Sequence, residues 1–473
     1  MLPNPKNYAI WPSVVPADKP SEMTIAPTEK AFLLFEDKEY TLTIIGVDND
    51  ELEYKNPTSH KFLTLKAHGG VLRFTHTFEG EQEHLIILKN DEGVTIGEMV
   101  LFSLESDLYE LLPFKGDFHG HSYRSDGKRD PSALIGHYRE MGYDFFSLTD
   151  HNRFYPGGEI DETFKDVKLG ITRVRGEEVH TPGSIVHIVH VGGKSSVDQQ
   201  YVDDTEKYEE EVKERLDRVP ENVPEQYRER FARAMWATEK IHEAGGLAIF
   251  AHPFWRPGGS KVYNVHNRFA RIFLNSGMFD AYELLGGMGQ GGNNVSVAMW
   301  AELRAEGNNI SVVGSSDVHG VAKSGTFPHL FTICFAKENE NDSLIEAVRN
   351  GMSVAVEGRG TEYDRMYNAY GSHRLVVYSQ FLLQHYFPQL QRICQGEGIA
   401  IRAYANGEIT DKRLIELQAE QTEDFRLRFF GRRPAVLPTK EILDFEDKWR
   451  KVHIEQGPIT KGSRITGEVS RQI

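Results

Sequence analysis

Between residues 113 and 336, short apolar runs alternate with helical segments, and this alternation restricts the possible folds more than any other feature of the chain. The runs are FKGDFH (114–119), YDFFSLTDH (143–151), TRVRGEEV (172–179), GLAIFAHP (246–253), FDAYELLG (279–286), ISVVGSSDVH (310–319) and HLFTICFA (329–336). Asp130-Pro131 caps a helix between the first two, with proline in the first turn and an end near Gly142. Further helices are expected at 224–244, 294–306 and 342–350. Repeated strand–helix units make successive strands parallel, and seven of them predict an α/β barrel over 113–360.

The flanks read differently. From 21 to 112 the apolar residues have period 2, as in Tyr40, Leu42 and Ile44, and Gly69-Gly70 suits a tight hairpin between runs at 62–67 and 71–78. Residues 1–112 are therefore expected to form a small β-sandwich, with the Pro-rich first 20 residues irregular. Residues 201–220 hold eight acidic and four basic side chains, which suggests a solvated helix or a flexible insertion. Residues 361–473 are expected to form a helical appendage. It would include an apolar-faced stretch at Tyr378–Gln395, a helix capped by Thr410-Asp411 that ends at Gly431, and one capped by Thr439 that runs to Gly457.

Charge and cysteine narrow the function. A net charge of −16 over 473 residues disfavours membrane surfaces, and nucleic acid as well except as a short nucleotide substrate. Cys334 and Cys394 are the two cysteines, so any metal must be held by His, Asp and Glu, and a reducing, cytoplasmic setting is expected. No export signal or run of ~18 apolar residues is present.

Position then points to chemistry. His119, His121, His151, His252, Asp317 and His319 fall where predicted strands end, the edge on which parallel barrels carry their active sites. In His119-Gly120-His121 the two imidazoles lie on one side of an extended segment, and Asp126 brings a carboxylate back beside them. Of Glu177 and Glu178 one should point inward. The following segment offers both His187 and His190. His180 reads as structural or exposed, and Glu283 as a paired strand glutamate. The Gly-rich stretch at 286–292 lacks the phosphate-loop patterns and reads as a flexible active-site loop. No GxSxG supports a serine hydrolase.

DFHGHS (117–122), SDG (125–127), GYDFFSLTDHN (142–152), Gly176-Glu177-Glu178, VHIVHVGG (186–193), AHPF (251–254) and SSDVHG (315–320) together resemble the PHP (polymerase and histidinol phosphatase) superfamily of metallohydrolases. The resemblance covers about half the chain, and the GEEV form with a β-rich N-terminal domain is similar to the branch that includes carbaryl hydrolase. It implies a distorted (βα)7 barrel holding two or three divalent ions. The implied ligands are His119, His121, Asp126, His151, Glu178, His187, His252, Asp317 and His319, with Glu178 bridging and Asp150 behind them fixing an imidazole. The fourth motif departs from the family pattern, which leaves His187 and His190 as alternatives.

Six imidazoles and three carboxylates suit Zn²⁺, Mn²⁺ or Fe²⁺. Three such ions outweigh three carboxylates, so the centre should attract a small anion. A phosphoesterase acting on a phosphorylated metabolite or nucleotide through metal-bound hydroxide is expected, with Arg124, Arg153 and Arg256 as candidate phosphate clamps. Carboxylester or carbamate hydrolysis on the same ions is one alternative, and a non-catalytic metal-stabilised scaffold another. The apolar-faced C-terminal helices make a homo-oligomer plausible.

Overall fold

The computed structural model describes residues 7–48, 60–321, 325–359 and 366–456. They divide into two compact units. Among the described residues, 106–427 form one, and 7–105 with 428–456 form the other, so the segment expected as a single appendage from 361 is shared between them. The first six residues and the expected helix end at Gly457 lie outside the described residues.

The larger unit is built on β1 (Leu112–Asp117), β2 (Phe145–Leu148), β3 (Thr172–Val179), β4 (Ile188–Val191), β5 (Leu247–Phe250), β6 (Ala281–Leu285), β7 (Ser311–Gly314), β8 (Leu330–Ala336), β9 (Ser353–Arg359) and β10 (Met366–Tyr370). Their order in one sheet is β7-β6-β5-β4-β3-β2-β1-β8-β9-β10. Every residue of β2, β4, β5 and β7 is buried, as expected for strands covered on both faces. Phe114, Val174, Val189, Ile249, Ala281 and Val313 collect one apolar side chain from each of six strands into a common cluster. The sheet nearly closes on itself, because the Thr332 hydroxyl on β8 accepts from Gly314 N (3.0 Å) and donates to Gly314 O (2.8 Å) on β7.

The barrel departs from seven parallel units. β1, β2 and β3 are parallel, as are β5, β6 and β7, but β4 is antiparallel to both β3 and β5, and β8 to β1. The cause is loop length, since the eight residues from 180 to 187 are too few for the crossover that a parallel β4 would need. The reversal has a consequence for the site: β4 begins at the edge where its neighbours end.

The acidic insertion is packed rather than merely solvated. Helices α2 (Thr205–Leu216) and α3 (Arg228–Glu243) follow α1 (Pro131–Glu140) in the chain, and α2 buries Tyr208 and Val212 in a cluster with Phe231 and Trp236 of α3. Its acidic face is matched by basic partners, Glu209 with Arg233 (3.0 Å) and Glu211 with Lys240 (3.4 Å).

Helices α4 (Phe387–Ala405) and α5 (Arg413–Phe429) complete the unit by burying charge. Arg139 of α1 donates to Glu397 of α4 (2.6 Å), whose other oxygen accepts from Gly170 N (2.6 Å), and Arg426 pairs with Asp144. Burial works against the positive charge of Arg139, yet Glu397 and its surroundings raise the guanidinium further above its ordinary range. α1 and α4 cross at paired glycines. A Cβ on Gly398 would lie 2.3 Å from Glu140 N and 2.6 Å from Gly136 O, and one on Gly136 would lie 2.7 Å from Gly398 O.

The smaller unit has two sheets, Tyr8–Trp11 with Pro20–Pro27 and Leu72–Thr77, and Val14–Pro16 with Thr95–Leu104, Gln82–Lys89, Glu39–Gly46 and Lys61–Lys66. Ile25 and Leu72 from the first sheet share a core with Leu42, Ile86 and Leu101 from the second. Residues 8–20, expected to be irregular, contribute strands because Tyr8, Ile10, Val14 and Val15 are buried there. Gly69 and Gly70 do make a positive-φ turn (61° and 78°), but the strands it joins enter different sheets and do not form a hairpin.

Gly398→Ala forces two helix backbones apart and is expected to destabilise the chain by about 1–3 kcal/mol. Urea denaturation followed by circular dichroism measures this, and an unchanged midpoint would contradict the close crossing.

Candidate metal centre

The side chains of interest gather at one edge of the barrel. His119 and His121 follow β1, His151 follows β2, Glu178 lies at the end of β3, His252 follows β5, and Asp317 and His319 follow β7. His187 precedes β4 and reaches the same edge because that strand runs backwards, whereas His190 lies inside it. Backbone bonds stitch these strand ends together: His121 N donates to Val318 O (2.9 Å), Asp317 N to His119 O (3.0 Å) and Asn152 N to Glu178 O (3.0 Å). His252 (φ 23°) and Asp317 (φ 49°) adopt left-handed backbone, a conformation that costs energy for such residues and is tolerated where surrounding structure fixes a side chain for use.

Three overlapping groups of ligand atoms result. His119, Glu178, His252 and Asp317 form a mostly buried group; His121, Asp126, His151 and His319 form a more open one; and His151, Glu178 and His187 form the third, sharing one residue with each of the others. All nine side chains implied by the motif resemblance are therefore brought together. His187 is among them. His190 is not, and its Nδ1 instead faces Glu177 Oε1 (3.2 Å).

Glu178 stands at the centre. Its Oε1 lies 2.6 Å from His187 Nδ1 and 3.0 Å from His252 Nε2, and its Oε2 lies 3.2, 3.3 and 3.0 Å from nitrogens of His119, His121 and His151. Despite that crowd, Oε2 has no hydrogen-bond partner in acceptable geometry, nor does His121 Nδ1. His119 Nε2 and His121 Nε2 approach to 3.2 Å. Two nitrogens each ~2.1 Å from one tetrahedral ion would stand roughly 3.4 Å apart, so this spacing is one that a bound divalent ion would accept. Nitrogen and oxygen donors alone are present, which suits a borderline divalent ion.

The electrostatics agree. Burial alone would raise the Glu178 carboxyl, but His187 and His119 hold it well below the usual carboxylate range. Burial likewise opposes charge on His121, yet its hydrogen bond to Asp317 and the nearby Glu178 push it up to about 9. Asp126 is lowered to about 2, chiefly by its bond to His319. Negative charge has been concentrated where cations can answer it.

Several surrounding residues differ from expectation. Asp150 fixes no imidazole. Its oxygens accept from Ser122 N (2.8 Å), Ser122 Oγ (2.6 Å) and Ser125 Oγ (2.5 Å), so it shapes the loop that carries Asp126. The imidazole-fixing carboxylate is Glu283, with Oε2 2.7 Å from His119 Nδ1, which leaves Nε2 directed at the cluster. A lone acid in the apolar strand Ala281–Leu285 was the available signal for it. Of the three arginines, Arg124 is tied to Glu159 (2.9 Å), Arg256 lies over the Tyr263 ring (5.2 Å), and Arg153 is exposed. The Gly-rich stretch is a close-approach segment continuing into a helix from Gly289. A Cβ at Gly287 would lie 2.1 Å from Asp317 Oδ2, and one at Gly286 2.0 Å from Glu283 Oε1.

Replacing Glu283 with Gln should free His119 to adopt the wrong tautomer and weaken metal affinity about 10- to 100-fold. Competition with a fluorescent chelator measures it, and unchanged affinity would remove Glu283 from this role.

No family model matches the chain, and no curated protein matches it. Among solved structures it is similar to a two-domain Bacteroides vulgatus protein containing a predicted PHP-like metal-dependent phosphoesterase, with 18% identity, 55% of this chain and 76% of the other covered, and a TM-score of 0.36. It is also similar to a candidate metal-dependent phosphoesterase from Bifidobacterium adolescentis (17% identity, 45% and 91% covered, TM-score 0.32). A third similar structure is an amidohydrolase from Chromobacterium violaceum with bound sulfate and no metal (18% identity, 45% and 89% covered, TM-score 0.30).

Proposed function

We propose that the chain is a PHP-type metal-dependent hydrolase and, within that class, a phosphoesterase acting on a small phosphorylated metabolite or nucleotide. The observation that carries this reading is the sharing of His151 and Glu178 among three ligand groups, which lets one carboxylate hold adjacent ions at a common edge. Divalent ions bound there would lower the pKa of a coordinated water to ~7 and offset charge on an anionic substrate.

The chain's own residues divide the remaining work. Glu178, fully buried, and Asp317, 14% exposed, supply negative charge that fixes the positions of His119, His121 and His252. His151, His319 and Asp126 keep 29%, 38% and 54% of their side-chain surface exposed, so substrate approaches from their side. With three carboxylates among nine ligands, two or three divalent ions leave the pocket cationic, which favours a phosphate ester over a neutral one. Zn²⁺, Mn²⁺ and Fe²⁺ all suit the donors.

Hydrolysis of p-nitrophenyl phosphate with added Mn²⁺ is the direct test. It should be abolished by chelation and reduced at least about a hundredfold by His119→Ala with Asp317→Ala. Activity on p-nitrophenyl acetate alone would replace the phosphoester reading with a carboxylester one, and unchanged metal content and activity in the double variant would indicate a scaffold.

Metal loading should also release protons. His121 is held up to about 9 and is protonated at neutral pH in the metal-free chain, whereas a ligating imidazole is neutral. Binding must therefore weaken as pH falls. Titrating ions into a weakly buffered sample should acidify it, and an unchanged pH would contradict this reading.

A further inference from the structure

The mouth of the cluster carries side chains that neither metal binding nor hydrolysis requires. His180, an exposed residue, follows β3 immediately, and its ring lies 4.4 Å, centroid to centroid, from that of His187. Its backbone is held in place, because His180 N donates to Asn152 Oδ1 (3.1 Å) and Asn152 is itself left-handed at φ 54°. Trp255 packs against the same imidazole at 5.8 Å and against His252 at 5.9 Å, with the indole partly exposed. The segment bearing it is anchored as well: Trp255 N donates to His252 O (3.1 Å), Asn264 N to Trp255 O (2.8 Å), and Asn264 Nδ2 to Ile185 O (2.9 Å).

A fixed indole left partly in water beside a charged cluster contributes little to holding ions. Its flat apolar face is, however, suited to stacking on a planar ring, with selectivity that depends on ring rather than on sequence of hydrogen bonds. His180 adds a polar edge beside it. Tyr123 and Tyr155, 47% and 56% exposed, follow the candidate ligands His121 and His151 closely in the chain.

We propose that Trp255 is a stacking platform and His180 a hydrogen-bonding edge for the part of the substrate beyond its anionic group. The site would then select an anionic ester that carries a planar ring, of nucleoside or aryl type, over an aliphatic one. This deepens the hydrolase reading and rests on it.

The test uses the Mn²⁺-loaded full chain and non-hydrolysable phosphonate analogues of AMP and of ribose 5-phosphate, which differ by the base, with binding measured by calorimetry. The AMP analogue should bind about tenfold more tightly. Trp255→Leu should remove that preference while leaving the ribose phosphonate affinity and the metal content unchanged, and His180→Ala should reduce it in part. Equal binding of the two analogues to the parent chain, or equal weakening of both in Trp255→Leu, would overturn the proposal while leaving the phosphoesterase reading intact. A phenyl phosphonate preferred over the AMP analogue assigns the aryl type of ring. Should no phosphonate bind, the phosphoester reading falls separately, and the platform is decided on phenyl acetate turnover: a specific loss in Trp255→Leu supports it, and an unchanged rate overturns it.

Discussion

The carboxylate of Glu178 is surrounded by five imidazoles within 3.3 Å, fully buried, and the barrel edge is arranged around it. A buried carboxylate is costly unless it is answered by positive charge or hydrogen bonds. Here the answer comes from side chains on four separate strand ends, so the charge can be tolerated only when the whole edge is assembled. The backbone bonds between His121 and Val318, and between Asn152 and Glu178, are how the sheet supplies that assembly. Left-handed backbone at His252 and Asp317 adds a cost that only a well-packed surround can hold.

Much of this was legible in the sequence, because the candidate ligands sit at strand ends and strand ends are marked by a change of period. β3 matched its apolar run, and the strands on either side lay inside theirs. Direction was not legible. Apolar content is the same for parallel and antiparallel buried strands, so β4 and β8 gave no warning of their reversal. The choice between His187 and His190 depended on that direction alone: both lie in VHIVHV, and only the reversed β4 puts the first at the edge and the second against Glu177.

Partners beyond the strand ends were harder still. Asp150 and Glu283 are both acids close to the cluster, and their roles follow from which loop or imidazole lies opposite, a tertiary fact with no local signature. The acidic helix α2 is solvated on the face that its charge count describes, while Tyr208 and Val212 on another face pack it against α3. Among the described residues, no helix is long and apolar enough to cross a membrane.

The buried pairs Arg139–Glu397 and Arg426–Asp144 bear on the order in which the chain can mature. Arg139 belongs to α1 and Asp144 immediately precedes β2, yet their partners lie 258 and 282 residues later. During synthesis every strand that carries a candidate ligand emerges while these two charges still lack their final counterparts. A nascent barrel would keep these two charges hydrated until α4 and α5 arrive, so the burial of charge in this unit is completed only by segments far along the chain from where it begins.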